Sequence, residues 1–124
     1  MKEGIVSIVE ERGVEHKNPI VIEGLPDVGL VGAIAASYIV EKMKYNEIGH
    51  IESDLFPPVM VIHDGRMKSP FCLYGNEEVI VVSSEIAIPP NAVYPLTRAL
   101  ADWFSSINAA LVISITGLPV KNRM

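Results

Sequence analysis

Pro19-Ile20-Val21-Ile22-Glu23-Gly24-Leu25-Pro26-Asp27-Val28-Gly29-Leu30-Val31-Gly32 contains a complete switch of period, and the fold follows from it. Ile20 to Glu23 reads as a strand, its first three residues β-branched and apolar. Gly24-Leu25-Pro26 then turns the chain. From Val28 to about Lys44 the spacing predicts a helix, with Asp27 placed to accept the free amides of its first turn. On that helix Gly29, Gly32, Ala33 and Ala36 fall at i, i+3, i+4 and i+7, a stripe of small residues against which another backbone can pack closely. Polar groups return only at Ser37, Tyr38, Glu41, Lys42 and Lys44, so most of this helix is expected to be buried. Strand, tight turn and covering helix in immediate succession predict an α/β class.

Short apolar runs continue on both sides of this unit. Ile5 to Val9 is a strand, separated from Ile20 by the charged stretch Glu10 to Asn18, with a turn at Gly13. Gly49 to Glu52, Val59 to His63, Phe71 to Tyr74 and Val79 to Ser83 read as antiparallel strands, with turns at Asp64-Gly65 and Gly75-Asn76. Ile80-Val81-Val82 suits a strand covered on both faces, and the Lys68 to Tyr74 segment an edge. A second helix follows Pro89-Pro90 with Asn91 as its cap. Its Leu96, Ala99, Leu100, Trp103, Phe104 and Ile107 form one buried stripe, with Thr97, Arg98, Asp102 and Ser105 turned to water. Ala110 to Thr116 is a last strand, so the sheet is mixed.

At 124 residues, 49% hydrophobic and 20% charged, the chain holds one core and one α/β domain spanning residues 1–124. Ten Lys plus Arg against fifteen Asp plus Glu leave a net charge of −5, which argues against nucleic acid and anionic lipid as partners. A single cysteine, the absence of an apolar leader after Met1-Lys2-Glu3-Gly4, and a longest apolar run broken by Gly29, Gly32 and Ser37 predict a soluble cytoplasmic protein with no membrane span. Gly24-Leu25-Pro26 leads into a helix, and the same tripeptide recurs at Gly117-Leu118-Pro119 just before the chain stops. The domain is therefore expected to be truncated at its carboxyl end, an amino-terminal fragment of something longer.

Catalytic and ligand motifs are weak. Gly29-Leu30-Val31-Gly32 lacks the leading glycine of a dinucleotide fingerprint and the Lys-Ser or Lys-Thr of a P-loop, and Asp27 would repel a phosphate. His16, His50, His63 and Cys72 have no metal-ligand spacing, so no metal or cofactor is expected. Cys72 has no matched base and reads as a small buried residue of a strand. Ser84 and Glu85, at a strand end, are where an α/β enzyme would place its groups, yet no histidine accompanies them. Two apolar, proline-rich connections are unusual for loops: Leu55-Phe56-Pro57-Pro58 and Ile86-Ala87-Ile88-Pro89-Pro90. They either tuck under the helices or form patches that need a partner.

Together with Ser53-Asp54-Leu55-Phe56-Pro57-Pro58 and Asp64-Gly65, the run from Pro19 to Gly32 resembles the archaeal proteasome assembly chaperone family. The resemblance implies a three-layer α/β/α sandwich with a mixed sheet, similar to the nucleoside phosphorylase core but without its catalytic residues. It also implies a non-catalytic, homo-oligomeric chaperone whose partners are proteasome α-subunits. On that reading Phe56, Pro57, Ile86 and Ile88 are contact surface, and Gly29, Gly32, Ala33 and Ala36 are structural packing positions. Some members dock through a carboxyl-terminal tail containing tyrosine, whereas this chain stops at Asn122-Arg123-Met124 and the family is commonly much longer. The alternative is a small-molecule enzyme, nucleoside-processing or ligase-like, with a crevice near Gly24 to Gly32 and Glu85 to Asn91. An oligomeric scaffold with no proteasome link is the third reading.

Overall fold

The structure, a computed structural model, describes residues 4–11 and 14–121. The turn expected at Gly13 and the terminal Asn122-Arg123-Met124 lie outside the described residues. The strands are β1 (Val6–Glu10), β2 (Ile20–Gly24), β3 (Asn46–Ser53), β4 (Val61–His63), β5 (Arg66–Lys68), β6 (Phe71–Gly75), β7 (Val79–Ser84) and β8 (Leu111–Ser114), and the helices are α1 (Val31–Met43) and α2 (Val93–Ser106). Six strands form one mixed sheet in the order β1-β3-β6-β7-β2-β8. Pairing is antiparallel from β1 to β7 and parallel across β7-β2-β8. The remaining strands, β4 and β5, make a separate hairpin.

Alternation along the strands sorts the side chains into two faces. Val21, Ile51, Phe71, Leu73, Ile80 and Val82 gather on one face with Leu96, Leu100 and Trp103 of α2, the main core. Burying each such side chain contributes roughly 1.5–3 kcal/mol. The opposite face carries Val81, also fully buried, and α1 packs there over β2 and β7. Helix, sheet and helix make three layers, as expected, and Ile80-Val81-Val82 is covered on both sides. The polar face of α2, Thr97, Arg98, Asp102 and Ser105, is exposed.

Several local expectations are corrected. β6 is not an edge but lies between β3 and β7, with Phe71, Cys72 and Leu73 buried; Lys68 belongs instead to β5 of the separate hairpin. Neither Asp27 nor Asn91 caps a helix through its side chain, because each helix is preceded by a 3-10 turn, Val28–Leu30 and Pro90–Ala92. Asp27 accepts a hydrogen bond from the Thr116 hydroxyl instead, tying the β2–α1 turn to the segment after β8.

The largest difference concerns α1. Gly32 and Ala36 are buried, but Val31, Ile34, Tyr38 and Met43 are exposed, Ile34 and Tyr38 at 64% each. The helix turns its small residues inward and an apolar face outward. A Cβ built on Gly32 would lie 2.2 Å from the Ile115 carbonyl oxygen, and one on Gly24 2.3 Å from the Gly32 carbonyl oxygen. Side-chain-free positions are what let the helix sit this close to the sheet. Ala33 is half-buried. Gly29 differs from the other three: it is exposed, a Cβ there would meet nothing nearer than Val31 Cγ2 at 3.7 Å, and its φ of 67° accounts for the glycine.

Candidate functional site

The groups that could do chemistry are engaged structurally or far apart. Burial, reinforced by the nearby Glu47 charge, pushes the Cys72 thiol up to about 11, so it stays protonated at neutral pH and is a poor nucleophile. Tyr74 is held well above the usual phenol range, chiefly by burial and then by its neighbour Cys72. Lys68 Nζ lies 3.4 Å from the Tyr74 hydroxyl and 3.7 Å from Glu47 Oε1, a polar cluster roofing the thiol. Ser84 Oγ donates to the Ile86 carbonyl at 2.6 Å and accepts from the Ile86 amide at 3.1 Å, which makes it a turn former. Each histidine pairs with its own carboxylate: His16 with Glu10, His50 with Glu52 at 2.8 Å, and His63 with Asp64 at 3.4 Å. Among the described residues no three His, Cys, Asp or Glu side chains gather as a metal site.

What the fold does build is surface. The β4–β5 hairpin pairs Ile62 with Met67 on its outward face, and these side chains are 71% and 69% exposed. Val59 and Met60 extend the same patch and are exposed as well. Val59, Met60 and Met67 also line a cleft of about 570 Å³, together with Phe56, Pro57, Glu47 and Glu52. Phe56 is half-buried and stacks on Phe71 with ring centroids 4.0 Å apart, so it also roofs the core, whereas Pro57 is exposed. A second cleft, about 690 Å³, separates the hairpin from the last turns of α1 and contains Cys72, Tyr74 and Glu85.

A third cleft of about 310 Å³ opens between α2 and the carboxyl end of β2. Ile88, Leu100, Phe104 and Ile115 line it, and Glu23 stands among them. Of the four contact residues expected from sequence, Phe56 and Pro57 share the first cleft, Ile88 lines the third, and Ile86 is half-buried against the core and lines none. The crevice expected between Gly24–Gly32 and Glu85–Asn91 is divided: Leu25, Pro26 and Asp27 meet Ile88 in the third cleft, and Glu85 faces the second. The hairpin patch and Glu23 were not singled out from sequence. A carboxylate inside the apolar strand Ile20-Val21-Ile22 was the available signal for the latter.

Desolvation raises the Glu23 carboxyl above the usual range. Between its ordinary and its raised value the native state binds more protons than the unfolded chain, so stability falls as pH rises through that window. Glu23→Gln removes the penalty. The variant is expected to melt above the parent at pH 7 and level with it once the carboxyl is protonated in both states; equal melting at both pH values, by calorimetry, would contradict this.

The profile of the PAC2 family matches residues 21–124. The chain is 33% identical to Pyrococcus furiosus PbaA, an archaeal homolog of proteasome-assembly chaperone, with a TM-score of 0.88 over 96% of this chain and 51% of that one. Pyrococcus furiosus PbaB, an archaeal proteasome activator, superposes with a TM-score of 0.75 at 25% identity, covering all of this chain and 55% of that one. Uncharacterized protein MJ0106 of Methanocaldococcus jannaschii is 34% identical over 113 residues, 91% of this chain and 48% of the relative. The chain thus spans about half the length of the proteins it matches.

Proposed function

Since the chain belongs to the PAC2 family, we propose that it is a non-catalytic, proteasome-assembly chaperone-like protein that works by presenting apolar surface to other subunits. The observation that carries this reading is the likeness to PbaA at a TM-score of 0.88, joined to an exposed apolar hairpin where an enzyme would need convergent polar groups. Its partners on this reading are proteasome α-subunits and further copies of itself, in the cytoplasm. Among the described residues no helix is long and apolar enough to cross a membrane. Pro57 and the Ile62–Met67 pair are the exposed part of the contact surface, Phe56 lies half-buried beside Pro57 in the first cleft, and Ile86 and Ile88 are half-buried against the core, Ile88 in the third cleft. Two methionines in the patch suit partners of varied shape, because thioether side chains repack at low cost.

We also infer that these residues are the amino-terminal part of a larger domain. All four residues of β8 are exposed, although Leu111, Val112 and Ile113 pair in a parallel sheet, whose strands are ordinarily covered on both faces. A transcript that terminates naturally at Met124 would refute this.

The chaperone reading is tested by retention of purified α-subunits on the immobilised protein. Ile62→Lys with Met67→Lys, both on the outward face of the hairpin, is expected to reduce retention at least about tenfold while leaving the melting temperature unchanged. Equal retention by the parent and the double variant would remove the hairpin from the interface. No retention by either would count against the proteasome partner.

A further inference from the structure

Glu23 is a carboxylate on the core face of the sheet, in register with Val82 of β7 and Ser114 of β8. Among the described residues its oxygens have no hydrogen-bond or ion-pair partner, and no lysine, arginine or histidine lines its cleft, whereas Glu47 in the first cleft is paired with Lys68. The space it faces is apolar: Leu25, Ile88, Leu100, Phe104 and Ile115 supply the walls. Asp27, the other acid of this cleft, already accepts from Thr116. The rim residues Val93 and Ala101 are exposed, so the cleft is open to an approaching group.

We propose that this cleft between α2 and the carboxyl end of β2 is a docking pocket for one basic side chain, an arginine, of a protein partner. The inference rests on the protein-binding reading above and adds the residue the partner must present. Two features select the occupant. An unpaired half-buried carboxylate is complementary to a cation, and the apolar walls exclude a small hydrated ion while matching the aliphatic stem of a long basic side chain. The Phe104 ring in the wall favours a planar guanidinium over an ammonium, because guanidinium stacks on aromatic faces and is more weakly hydrated. A volume of about 310 Å³ is at the small end for a ligand pocket and suits a single side chain better than a nucleotide-sized molecule. Burial also holds the Glu23 carboxyl above its usual range, a cost that an arriving cation relieves.

The probe is N-butylguanidinium, an arginine side chain without its backbone, compared with 1-pentanol as a neutral analogue of similar length. Methyl resonances of Ile88 and Ile115 in the whole chain are the readout. Saturable shifts at concentrations on the order of millimolar are expected with butylguanidinium, at least roughly fivefold weaker binding with pentanol, and loss of the preference in Glu23→Gln. Pentanol binding as tightly, an unchanged preference in Glu23→Gln, or shifts confined to other methyl groups would each overturn the proposal. Because Glu23→Gln removes a desolvated charge, its melting temperature should not fall, and a folded variant keeps the comparison valid. A parent that binds butylguanidinium through Glu23 yet retains no α-subunit would support the pocket and overturn the choice of partner.

Discussion

Gly24→Ala is expected to cost about 3 kcal/mol or more, a large share of the roughly 5–15 kcal/mol that holds a domain of this size together. The added methyl would lie 2.3 Å from the Gly32 carbonyl oxygen and 2.5 Å from the Ala36 Cβ, and neither is the yielding end of a long side chain. Relief requires lifting α1 off the sheet. That movement is blocked in turn where Gly32 presses on the backbone at Ile115, so the strain is shared by β2, α1 and the segment after β8. Urea titration followed by circular dichroism measures the effect. Gly29→Asn is the matched control: it lies in the same turn, has open space around it, and asparagine tolerates positive φ, so it should stay within about 1 kcal/mol of the parent. If Gly24→Ala were as stable as that control, the close helix–sheet contact would not be what α1 depends on.

Trp103→Ala is expected to destabilise the chain by about 3–5 kcal/mol, the range for removing a large buried aromatic. Trp103 is 8% exposed and belongs to the main core, and its indole Nε1 donates to Glu10 Oε2 at 3.1 Å. The edge of His16 meets the same ring, with centroids 5.9 Å apart, and His16 is itself bonded to Glu10. One side chain therefore joins α2, β1 and the segment leading to β2. Trp103→Phe separates the two contributions: it keeps most of the packing and loses the hydrogen bond, for about 1 kcal/mol. Trp103 is the only tryptophan, so unfolding of both variants is followed by circular dichroism. A cost for Trp103→Phe equal to that of Trp103→Ala would assign the stability to the Glu10 bond instead of to packing.

These two positions differ in how readily they can be recognised from the chain alone. Trp103 sits in a stripe of period 3.6 with Leu96 and Leu100, and the register of that stripe predicts its burial without knowledge of the partner surface. The small-residue stripe of α1 also predicts a close approach, and Gly32 and Ala36 make one. What it does not predict is the state of the other faces. Val31 and Ile34 look like core residues by composition, yet they are exposed, because only the small face of the helix meets the sheet.

Periodicity and turn chemistry were sufficient for the α/β class, the mixed sheet and the buried run at Ile80 to Val82, since each rests on residues within a few positions of one another. The strand order, the central place of β6 and the detachment of the β4–β5 hairpin depend on which distant segments pair. Local pattern carries no information about that choice, which is why Lys68 to Tyr74 reads as an edge in the sequence. The same holds for surface. Pro57, Ile62 and Met67 are ordinary apolar residues until the hairpin stands clear of the sheet, and Glu23 is an ordinary acid until β2 places it in an apolar cleft, without a partner among the described residues. Exposure and complementarity are properties of the assembled chain, because they are set by the groups that fail to arrive as much as by those that do.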